Sequence, residues 1–297
     1  MQHECLLIPP TNFKEAVDWL EAVRSTAGIK PLGEAVYALL RETAVSNVKF
    51  DSFTTIKSHV RNFLRFDGFT GFPSFRVMLD SVTGYPSPMH AICLNGDKHD
   101  PEAVKMNVKG FCDATEFNSV QYEDVHRVVY ETIQTAHYLV DGIKKTETYE
   151  ETYVSKPLWD VSCKENPQKC ATMFIGIIPM IYPTLYELYQ YTQKYYNFDL
   201  HIKTKKNDTL GWLFEGSGFT FYKDLKGKVT AEDIEILIPY VDRDYLKKLY
   251  YMCGFWKFYP QSHVYPQAHP IGDGKEHTVG ENHDPYERKY RARRMRR

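Results

Sequence analysis

Between Cys170 and Tyr191 the chain carries the stretch that most limits how it can fold, because Ala171 to Tyr186 contains no charged residue. A helix that crosses a bilayer needs about 20 predominantly apolar residues. This run is shorter, so the segment is expected to be a helix buried in a protein core. In its second half Ile181, Leu185, Leu188, Tyr191 and Tyr195 recur at steps of three and four, which is one face of a helix. Pro179 and Pro183 fall inside the run and are expected to bend it.

The rest of the chain reads as helix as well. Asn12 can cap a first helix, with Glu15 three residues on, and Gly28 stops it. Pro31 suits the first turn of a second helix. Asp51 or Ser52 can open a third, followed by a shorter one from Pro73 to about Val82. Asp100 reads as another start. The longest helix signal runs from about Ser119 to Lys145, with Val125, Val129, Ile133, Ala136 and Val140 on one side. Thr146 to Ser155 is polar and acidic and reads as a solvated loop or a helix end. A short helix spans Leu210 to Phe214, another is capped by Thr230 with Asp233, and Asp242 opens the last. The expected fold is all-α, an irregular multi-helix globular bundle. Its organisation is an extension over 1–9, a helical body over 10–259 with a candidate subdomain break near 147–167, and a disordered basic tail over 260–297.

Charge separates that tail from the body. Arg288, Lys289, Arg291, Arg293, Arg294, Arg296 and Arg297 face one acid, Glu287, so this end carries +6 in a chain of net charge -1, which leaves -7 on the rest. An acidic body argues against nucleic-acid binding across the main fold. It leaves the seven basic residues as a candidate anion or nucleic-acid contact. The N-terminus lacks the basic start and apolar run of a signal peptide.

Catalytic patterns are missing from the sequence. The histidines His263, His269, His277 and His283 have spacings that fit no helical metal pair. Gly216-Ser217-Gly218 lacks the flanks of a nucleophile elbow and suits helix termination. No phosphate-binding glycine loop occurs, and Glu150 and Glu151 are neighbours in a polar segment. No enzyme, cofactor, metal or small-molecule substrate is expected. Cys163 and Cys170 could close a small loop in an oxidising compartment, and buried free thiols are the alternative.

Four ordered blocks carry a family resemblance. The first is Pro10 through Leu20, including Phe13, Ala16, Val17 and Trp19, followed by Leu32-Gly33-Glu34-Ala35-Val36. The second is Cys170-Ala171, Phe174, Gly176, Pro179, Ile181-Tyr182, Leu185 and Leu188-Tyr189. The third is Leu210, Phe214, Gly218-Phe219 and Leu225-Lys226-Gly227, and the fourth is Leu249-Tyr250-Tyr251, Cys253 and Phe258. In this order they resemble the variant erythrocyte surface antigens of Babesia parasites, while Val82 to Asn118 matches poorly. The resemblance implies a non-enzymatic protein of the infected erythrocyte, engaged in antigenic variation and adhesion to host cells. Its implied partners are a host-cell surface protein or another antigen subunit. Family members are longer and end in a membrane helix, so this chain reads as a short, tail-truncated member that meets a membrane only through a partner. The alternative is an intracellular scaffold or nucleic-acid-associated protein bound through the basic tail.

Overall fold

A 26-residue helix, the longest among the described residues, forms the axis around which the other helices pack. The computed structural model describes residues 2–42, 51–83, 111, 120–153, 158–193, 209–227 and 229–254. In chain order its helices are α1 (Phe13–Ser25), α2 (Ile29–Glu42), α3 (Asp51–Leu64), α4 (Pro73–Thr83), α5 (Tyr122–Ile143), α6 (Leu158–Ser162), α7 (Pro167–Thr192), α8 (Thr209–Gly216), α9 (Phe221–Asp224), α10 (Ala231–Leu237) and α11 (Arg243–Gly254). A 3-10 turn, Asp67–Phe69, precedes α4. The fold is all-α, and among the described residues β structure is limited to two isolated bridges, His3 with Tyr153 and Lys144 with Leu225. Residues 1–261 cluster as one compact unit. The tail expected over 260–297, the helix start at Asp100, and Tyr195 lie outside the described residues.

The axis is α7. Helices α1, α2, α3, α4, α8, α10 and α11 all contact it, and α5 packs against α1, α2, α10 and α11. The single apolar face expected for its second half is present, with Ile181, Leu185 and Leu188 buried and Tyr182, Tyr186 and Tyr189 half-buried, while from Cys170 to Ile181 the helix is enclosed on every side. Met173, Phe174, Ile177, Ile178, Met180 and Ile181 are all buried, and so are Thr184 and Glu187. A helix hydrophobic all round is one that neighbours enclose on every side. It is long and apolar enough to cross a membrane, yet most of it is buried within the protein.

Polar side chains on α7 are satisfied locally or at the ends of its neighbours. Thr172 and Thr184 donate to the carbonyls of Gln168 and Met180 one turn back. Glu187 accepts from the backbone N–H of Ser74 at 3.2 Å and from the Ser74 hydroxyl. Since Ser74 lies in the first turn of α4, the carboxylate caps another helix at its positive end. Pro179 and Pro183 both lie inside the continuous helix, each removing one backbone donor.

The caps at Asn12, Thr230 and Asp242 form where the sequence places them, with one change. Asn12 Oδ1 accepts from Glu15 N–H at 2.9 Å, but the Glu15 carboxylate reaches back to Thr11 N–H at 2.7 Å. The reciprocal box is complete at α10, where Thr230 and Asp233 bond each other's backbone N–H. The turn after α1 takes its positive φ at Ala27, not at Gly28. Glycine is needed at 28 because a Cβ there would stand 2.7 Å from the Trp159 ring.

Candidate functional site

Chemistry-bearing side chains converge where α1 meets the segment 144–153. Lys14 and Asp18, one helical turn apart, are both buried and form an ion pair at 3.2 Å. Lys14 Nζ also donates to the Glu150 carbonyl at 2.8 Å and stands 4.4 Å from the Tyr149 ring centre. Asp18 accepts from the Tyr149 hydroxyl at 2.5 Å and from Thr152 N–H at 2.9 Å. Burial, and next the Asp18 carboxylate, hold the Tyr149 phenol far above its ordinary range. A phenol that stays protonated and donates to a carboxylate works as a strut; proton transfer would require it to ionise near the working pH.

This arrangement refines the reading of Thr146 to Ser155: over the described residues 146–153 the segment is a loop with most side chains exposed, but it is anchored by Tyr149 and Tyr153. Tyr153 is buried at 1% exposure and donates to the Ile8 carbonyl at 2.7 Å. Lys145 N–H donates to the Asp224 carbonyl, Lys226 N–H to that of Ile143, and Thr148 Oγ1 to that of Lys223. The segment therefore straps α1, the end of α5 and α9 together, and the exposed Glu147, Glu150 and Glu151 are its outer face. Glu150 pairs with Lys223 at 2.9 Å, whose ammonium lowers the Glu150 pKa.

A second cluster ties down residues 3–10. Cys163, in the turn after α6, and Cys170, in the first turn of α7, are joined in a disulfide, Cα atoms 5.8 Å apart, and both are fully buried. Immediately before Cys163, Ser162 Oγ accepts from Leu6 N–H at 3.0 Å and lies 3.4 Å from Cys5 Sγ. Trp19 Nε1 donates to the Leu6 carbonyl at 2.8 Å. The bond closes a loop of about eight residues, and the chain-entropy model gives it about 2.5 kcal/mol. Reducing it is expected to lower the thermal midpoint by roughly 5–10 °C. Thermal unfolding with and without a dithiol reductant measures this, and an unchanged midpoint would contradict it. Cys253 is a buried free thiol whose pKa is pushed up by desolvation, which makes it unreactive.

The remaining sequence candidates occupy structural positions. Ser217 is fully buried, its hydroxyl has no hydrogen-bond partner, and its N–H closes the end of α8 on Leu213. Gly218 has φ +97, and a Cβ there would stand 2.5 Å from Asn12 Oδ1, so glycine is required twice over. Among the described residues no three His, Cys, Asp or Glu side chains come together as metal ligands. His263, His269, His277, His283 and the basic run Arg288 to Arg297 lie outside the described residues.

The buried phenols share a cause. Tyr153, Tyr182 and Tyr245 have raised pKa values, and Tyr250 is pushed up to about 12, in each case first by burial. Each phenol holds its proton more tightly folded than unfolded. Their contribution to stability is therefore present below pH of about 10 and lost as pH rises toward the folded values. The expected result is alkaline unfolding above roughly pH 10, with these phenols ionising together as the helices melt. Tyrosinate absorbance read beside helical circular dichroism tests this, and early ionisation with the helices intact would contradict it.

Half-buried Glu131 belongs to a further group. Its carboxyl is raised first by burial; Lys248 and Arg127 oppose the shift and Asp242 adds to it. Tyr240 feels that carboxylate and also packs on Tyr138, their ring centres 6.1 Å apart.

No family model, no curated protein and no solved structure matches this chain.

Proposed function

We propose that this chain is a non-enzymatic interaction protein of the variant erythrocyte surface antigen type, exported to the infected erythrocyte, where it contributes to antigenic variation and adhesion. The observation that carries the reading is where the four resembling blocks lie. Phe13, Trp19 and Val36 come from the first block, Phe174 and Leu185 from the second, Phe214 and Phe219 from the third, and Leu249 from the fourth. All are buried; Phe219 lies between α8 and α9, and the others sit on α7 or on helices that contact it. Blocks of this kind specify a scaffold, and a scaffold whose likeness resides in its core leaves its surface free to vary. Binding would then belong to exposed side chains, with a host-cell surface protein or another antigen subunit as partner and any membrane reached through that partner.

The rival reading is an intracellular scaffold or nucleic-acid-associated protein held through Arg288 to Arg297. The Cys163–Cys170 disulfide weighs against it, because such bonds form and persist in oxidising compartments.

Immunolocalisation in infected erythrocytes, with and without permeabilisation, tests the proposal together with alkylation of the chain's thiols under denaturing conditions before and after reduction, since both cysteines are buried in the folded protein. The expected result is signal on intact cells, with Cys163 and Cys170 protected until reduced. Signal confined to the parasite interior, with both thiols alkylated at once, would overturn it. Loss of a salt-sensitive association on deleting Arg288 to Arg297 would then establish the rival.

A further inference from the structure

We draw no further inference here: the strongest candidate, the surface cluster of Tyr130, Tyr138 and Tyr240 around the half-buried Glu131 carboxylate, between α5 and the turn that follows α10, carries nothing because Lys248 already acts on that carboxylate and nothing in the structure shows what covers the rings.

Discussion

Asp18→Ala is expected to destabilise the fold by about 3–5 kcal/mol, the range for breaking a buried ion pair from one side. For a chain of this size that lowers the thermal midpoint by roughly 6–20 °C. The cost arises because Lys14 would be left charged and buried, with the Glu150 carbonyl and the Tyr149 ring as its remaining contacts. Tyr149 and the Thr152 N–H would also lose their acceptor. A double-mutant cycle separates these effects. Lys14→Met combined with Asp18→Leu removes both charges and keeps apolar volume, so it is expected to cost less than Asp18→Ala alone. Denaturant unfolding of Lys14→Met, Asp18→Leu and the double variant measures the coupling. Strictly additive costs would show that Lys14 and Asp18 act independently and that the strap is held by Tyr149 and Tyr153 through other contacts.

Phe174→Ala tests the axis of the bundle. The side chain is fully buried on α7, and removing such a ring costs about 3–5 kcal/mol in a core that cannot collapse into the gap. Val161→Ala on α6 is the control, since Val161 is 76% exposed and its truncation is expected to change stability by less than about 0.5 kcal/mol. Urea titrations of the full chain in detergent-free buffer compare them. Equal, small effects would mean that α7 does not sit in a packed protein interior under those conditions.

Much of this architecture is legible where local chemistry decides it. Asn12, Thr230 and Asp242 announce helix starts because short polar side chains satisfy backbone N–H groups in the first turn, and each does so in the structure. The uncharged run Ala171 to Tyr186 announces a buried helix, and its neighbours bury it. Less legible is anything decided by a distant partner. The helix extends well beyond its uncharged run at both ends, outgrowing the one from Tyr122 to Ile143. Glu187, which looks like the charge that ends the apolar run, is buried because α4 presents Ser74 N–H to it across the bundle. The short helices α6 and α9 carry too few residues for a periodic signal.

The strap is the clearest example. Its sequence, Lys144 to Tyr153, is dominated by Lys, Thr and Glu, a composition that favours solvent. Only Tyr149 and Tyr153 depart from it, and those two make the anchoring bonds to Asp18 and Ile8. A spacing signal was present on the other side, since Lys14 and Asp18 stand at the four-residue separation that favours ion pairs on helices. Their burial depends on what covers them, and a helical pattern does not contain that information. The disulfide lies between these cases. A short separation made the Cys163–Cys170 pairing a candidate, while the approach of the two residues depends on the turn between α6 and α7.

Native-state hydrogen exchange of the full chain in detergent-free buffer, resolved along α7, tests most directly the claim that this apolar helix is the interior axis of a packed bundle. The backbone amides between Ala171 and Leu188, apart from the two prolines, are predicted to exchange among the slowest in the chain, opening only when the whole unit unfolds. Rapid exchange of these amides in buffer, with protection appearing only on adding lipid vesicles, would contradict the claim and make the segment a membrane helix instead.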